Sequence, residues 1–180
     1  GYYLACGNPT ITGDLYLFSA ALGLPNGPCG VPGRFKEWLL RVPFIGKLDR
    51  FFPLVGKNPY RYDRVSLNSA AELAKLMGKI DQLPPYGSNT GKPARRIFAA
   101  WSDCDNVISL DKLRKLQRLT PEGWFVPFII PAADGVEHAC VVLPQPIYAL
   151  GARAGAAPLE KANPRFAEML SAIGRFAVVG

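Results

Sequence analysis

Hydrophobic positions along this chain form short unbroken runs and longer helical stripes, with Pro- and Gly-rich breaks between them. Tyr2-Tyr3-Leu4-Ala5-Cys6 is apolar on both faces. With Gly1 it reads as a strand inside a parallel sheet, ended by Gly7-Asn8-Pro9. Residues 95–101 and 124–130 read as two more such strands. Between them the pattern changes period. Ser109 precedes a stripe of Leu110, Leu113, Leu116 and Leu119, and Asp111 suits the positive end of the helix so predicted. Asn163-Pro164 opens a closing helix that carries Phe166, Met169, Leu170 and Ile173 on one side and stops at Gly174.

Residues 10–93 show no regular strand–helix rhythm. Apolar helical pieces at 14–24, 34–42, 45–52 and 69–83 alternate with Pro/Gly breaks. The last is the clearest. Ser69 and Glu72 have capping-box spacing, Leu73, Leu76, Met77, Ile80 and Leu83 share a face, and Pro84-Pro85 stops the helix. A polar, turn-rich loop fills 86–93.

Apolar strands joined by helices predict an α/β fold with a parallel sheet. Reactive groups in such sheets sit beyond the carboxyl ends of the strands. Asp105 occupies that position after one strand. His138, the only histidine, occupies it after the next. A carboxylate and an imidazole so placed are two thirds of an acid–base–nucleophile set. Asp103 competes for the acid's role. Asp111 is accounted for by its helix N-terminus. Asp134 and Glu137 lie too close to His138 in sequence and read as a solvated loop.

Composition narrows the classes. With 180 residues, 49% of them hydrophobic, the chain is one domain or a large part of one, and global disorder is excluded. A net charge of +7 favours anionic partners only weakly, and no nucleic-acid-binding motif is visible. Cys6, Cys29, Cys104 and Cys140 form no CxxC pair, so neither a zinc site nor any other cofactor is expected. Apolar runs fall short of the roughly 18–20 residues of a membrane helix. No signal-peptide pattern precedes them, which makes the cytoplasm the default expectation.

Residues 97–108, with small Ser102, then Asp105 and Val107-Ile108, resemble the late strand and acid turn of the α/β-hydrolase superfamily. Gly135-Val136-Glu137-His138 resembles that family's histidine loop. Residues 163–176 resemble its closing helix, and 1–9 the strand after its nucleophile helix. The esterase and monoacylglycerol-lipase-like branch is the most similar. This resemblance implies a core formed by 1–9 and 94–180, with a helical lid inserted at 10–93. It covers most of the chain, but only as the C-terminal part of the family's domain. It also implies the chain order Ser, Asp or Glu, His, with Asp105 as the acid and His138 as the base. The family's Gly-x-Ser-x-Gly elbow is absent, since Ser19, Ser66, Ser69, Ser88 and Ser102 all lack the flanking glycines. The implied nucleophile therefore lies upstream of Gly1, in the N-terminal half of the same protein. On this reading the chain belongs to a serine hydrolase that forms an acyl-enzyme from a small ester with an acyl chain, without a cofactor. Residues 34–64 interleave bulky apolar and basic side chains and read as cap packing over an apolar cleft. Contact with an anionic membrane surface is the lesser reading of that segment. The alternative function is a hydrolase-like binding domain with no nucleophile.

Overall fold

The computed structural model describes residues 2–7, 13–26, 31–42, 44, 51–53, 64–83 and 96–178. Three parallel strands in the order β1-β4-β5 form the central sheet: β1 (Leu15–Phe18), β4 (Ile97–Ser102) and β5 (Phe125–Ile130). Leu15 pairs with Ile97, and Ile97 with Phe125, so all three strands end on one rim. The connection from β1 to β4 carries α2 (Gly33–Arg41), an antiparallel pair β2 (Phe51–Pro53) and β3 (Arg64–Ser66), and α3 (Leu67–Asp81). Helix α1 (Tyr2–Gly7) precedes β1, α4 (Leu110–Leu119) joins β4 to β5, and α5 (Phe166–Val178) closes the chain. The parallel α/β class expected from the strand runs is the one observed.

β4 is buried along its whole length, and its alternation divides the core in two. Ile97, Ala99 and Trp101 pack with Leu17, Ile108, Leu113 and Leu116, which places α4 on one face. Phe98 and Ala100 pack with Val136, Val141, Met169 and Phe176, which places the histidine loop and α5 on the other. Helices on both faces explain why β4 reads as an unbroken apolar run.

Several local expectations are corrected. Tyr2–Gly7 is helix, not strand, and Leu15–Phe18 is strand where a helix over 14–24 was expected. Apolar runs of four to six residues carry no period that separates a buried strand from a buried helix. The sheet therefore takes its first strand from the segment assigned to the lid. Helix α3 starts earlier than the capping box implied: Ser66 is its N-cap, with its Oγ accepting the Ser69 N–H at 3.0 Å. Its buried stripe is Leu67, Ala71, Ala74 and Met77, while Leu73 and Leu76 are exposed. Gly174 does not stop α5, which continues to Val178. Of the expected helix at 45–52, residues 45–50 lie outside the described residues, and Phe51 opens β2. The loop at 86–93 and Cys29 also lie outside them. Among the described residues, no helix is long and apolar enough to cross a membrane.

Candidate active site

Past β4 the chain turns back on itself. The Asp105 N–H donates to Ser102 O at 3.1 Å, and Asp105 Oδ1 accepts the Val107 N–H at 2.9 Å. An Asp at this turn can bind its own backbone two residues on, which fixes its carboxylate. Past β5, the 3-10 turn Ala132–Asp134 ends at Gly135, whose φ of 61° is a left-handed conformation that glycine adopts without strain. His138 then opens a second 3-10 turn, His138–Cys140. Val136 before it and Cys140 and Val141 after it are all buried in the core. The histidine is thus held between two anchored points. Arg165 Nε reaches Asp134 Oδ2 at 2.5 Å and ties the loop to the start of α5.

These two turns meet. His138 Nδ1 lies 2.8 Å from Asp105 Oδ2. The Asp105 side chain is 0% exposed, and that of His138 is 33% exposed. Burial works against the Asp105 charge. The His138 hydrogen bond, the Val107 N–H, the nearby imidazole charge and the Ser19 side chain together outweigh it, and the carboxyl is held below its usual range. The carboxylate is therefore ionised at neutral pH and can only accept, which puts the imidazole proton on Nδ1 and leaves the Nε2 lone pair as a base.

A second link joins the same turns. Cys104 Sγ donates to Val136 O at 3.1 Å, and Ser102 Oγ accepts the Cys104 N–H at 3.3 Å. Cys104 therefore clamps the acid turn to the histidine loop. Cys140, two residues after His138, is buried in the core. Its burial and its neighbour Glu160, 3.3 Å away, push its thiol up to about 11.

The competing acids have other partners. Asp103 pairs with Arg114 at 3.0 Å, Asp134 with Arg165, and Asp111 stands in the first turn of α4. Of the sequence-predicted residues, Asp105 and His138 are brought together. Among the described residues, no serine hydroxyl bonds to His138. Ser19 follows β1 on the same rim; in the sequence it is only one of the serines that lack flanking glycines, and its positive-φ backbone has no sequence signal. Among the described residues no cluster of metal-ligating side chains is present.

Among solved structures, the chain is similar to the crystal structure of Paleococcus ferrophilus monoacylglycerol lipase, with a TM-score of 0.61 and 13% identity. The fold is α/β-hydrolase-like. The match covers 97% of this chain and 62% of that lipase, so the chain spans about three fifths of its length. No family model matches the chain, and no curated protein sequence does. In this α/β-hydrolase-like fold the carboxylate and the imidazole stand at the carboxyl rim of adjacent strands, where ligands of open α/β sheets bind.

Proposed function

We propose that the protein is a serine-type ester hydrolase in which Asp105 and His138 are the acid and the base. The observation that carries this reading is the 2.8 Å contact between His138 Nδ1 and the fully buried Asp105 carboxylate at the strand rim. The nucleophilic serine stands upstream of Gly1. Helix α1 leads into β1, and a strand feeding α1 would lie in the sheet beside β1 by the right-handed crossover rule. The turn between them opens on the rim that carries Asp105 and His138. Two observations support an upstream neighbour: Tyr16 and Phe18 of β1 are exposed, and a hollow of about 310 Å³ beside them is lined by Tyr2, Tyr3 and Leu76.

In this mechanism His138 Nε2 takes the serine proton as the hydroxyl attacks the ester carbonyl. Asp105 holds the imidazole in the Nδ1–H tautomer and stabilises its cation. The imidazolium returns the proton to the leaving alcohol. Water then repeats the sequence on the acyl-enzyme and releases the acid. The connection between β1 and β4 would serve as a cap over an apolar acyl cleft. Phe35 and Trp38, stacked at 5.8 Å and exposed on α2, support a lipid-facing surface on that cap, which vesicle sedimentation would test.

A fluorophosphonate probe tests the reading. The protein at its natural length should be labelled on one serine, and His138→Ala and Asp105→Asn should lose most of that labelling. Undiminished labelling in both variants rules the assignment out. One observation favours a second reading, a hydrolase-like domain that binds without reacting: no described serine bonds to His138. Absence of labelling at natural length would select it.

A further inference from the structure

Ser102 ends β4 and is fully buried, and its carbonyl and hydroxyl are both spent on the acid turn. The carbonyl accepts the Asp105 N–H at 3.1 Å, and Oγ accepts the Cys104 N–H at 3.3 Å. Ser102 Oγ also lies 3.2 Å from Cys104 Sγ. A carbonyl can only accept, so the 3.1 Å contact between Cys104 Sγ and Val136 O commits the thiol proton to Val136. The hydroxyl is then the donor toward sulfur. The result is a directed chain, Ser102 O–H to Cys104 S–H to Val136 O, that begins in the strand and ends in the histidine loop.

This chain and the acid–base contact bridge the same two segments. Asp105 follows Cys104 directly, and His138 stands two residues past Val136. At the base of the turn the Asp103 N–H donates to Ile130 O at 3.0 Å and extends the pairing of β4 with β5. The loop then leaves the sheet through the 3-10 turn Ala132–Asp134, and the thiol brings it back to the acid turn just before the histidine. Val136 is 0% exposed, so water cannot take the thiol's place at its carbonyl without the loop moving. A slip of about 1 Å between the two segments would carry the 2.8 Å contact of His138 Nδ1 with Asp105 beyond hydrogen-bond range.

We propose that Ser102 and Cys104 are positioning residues for the Asp105–His138 pair. The hydroxyl orients the thiol, and the thiol holds the histidine loop where Nδ1 meets the carboxylate. Both act through the acid and the base. The kinetic part of this inference rests on the hydrolase reading, and the part that concerns the Nδ1 proton does not.

Cys104→Ala, Cys104→Ser, Ser102→Ala and the double alanine variant, made in the protein at natural length, test it. Two quantities are read: solvent exchange of the His138 Nδ1 proton by NMR, and kcat and KM for an ester. Cys104→Ala should speed the exchange about two- to fivefold, the size of one weak hydrogen bond, and lower kcat by a similar factor with KM unchanged. The β4 amides should keep their wild-type protection. Cys104→Ser retains a donor toward Val136 O and should restore most of both losses. The double variant should lose less than the product of the single losses, because the hydroxyl works through the thiol. Unchanged Nδ1 exchange in Cys104→Ala overturns the proposal. So does exchange that quickens equally at Nδ1 and in β4, the mark of a general loss of stability, and so do single losses that simply multiply. If the wild type itself hydrolyses no ester, the hydrolase reading fails, and the Nδ1 exchange alone decides the role of Ser102 and Cys104.

Discussion

Replacing Glu37 by alanine should loosen α2, the helix that packs against α3. Glu37 lies on α2 and is 0% exposed. Its carboxylate accepts the Leu24 N–H at 2.8 Å, Lys112 Nζ of α4 at 3.2 Å and Arg41 Nη2 at 3.3 Å. One side chain thus joins α2 to the segment after β1 and to the helix after Asp105. Glu37→Ala strands the Leu24 N–H, which costs about 1–3 kcal/mol, and leaves a small void. Neither cation is stranded with it. Lys112 keeps Asp81 at 3.0 Å, and Arg41 keeps Ala74 O at 3.0 Å. The expected loss is about 2–4 kcal/mol, or roughly 5–15 °C in Tm for a chain of this size. Glu37→Gln keeps an oxygen for Leu24 and should cost about half as much. Lys112→Met leaves a buried carboxylate with Arg41 as its remaining cation and should cost at least as much as Glu37→Ala. Urea unfolding followed by tryptophan fluorescence measures all three, with fully buried Trp101 as a reporter. A Glu37→Ala variant within about 0.5 kcal/mol of wild type, the range of ordinary surface substitutions, would refute the reasoning.

Gly33→Ala should lower the urea midpoint by the equivalent of about 1–3 kcal/mol, because a Cβ there would stand 2.1 Å from Leu24 O and the backbone would have to move. Asp105 is held below its ordinary value of 3.8, so its ionisation stabilises the fold above that pH, and this contribution fades as pH falls through the lower folded value. Asp105→Asn lacks the contribution, so the stability gap between wild type and variant should narrow in unfolding curves taken below about pH 4. Cys140, pushed up to about 11 and buried, should resist iodoacetamide at pH 8 in the folded protein and react in urea, as mass spectrometry would read.

The parts of the site legible in the sequence are those where a strand end and a turn residue coincide. β4, buried on both faces, and β5, a half-buried edge strand, are both six-residue apolar runs, and Asp105 and His138 are the chemistry that follows them. The first strand and helix were exchanged because their apolar runs are too short to carry a period. Helix α3 was recognised, but its buried face was not. Small Ala71 and Ala74 pack inward while Leu73 and Leu76 face out, an ordering set by the elements packed against the helix and not by hydrophobicity. Glu37 stood in the sequence as one of few acids among many bases, and its burial depends on Lys112, 75 residues away. The Cys104–Val136 bond spans 32 residues in the same way, and the Ser19 backbone has no sequence mark at all.

The most direct test of the account is nitrogen-detected NMR of the lone imidazole across neutral pH. One histidine makes one pair of ring nitrogens, free of overlap. A proton should reside on Nδ1, protected from solvent exchange by the Asp105 carboxylate, and should be lost from that position or exchange freely in Asp105→Asn. A proton on Nε2, or an Nδ1 signal indifferent to Asp105→Asn, would contradict it.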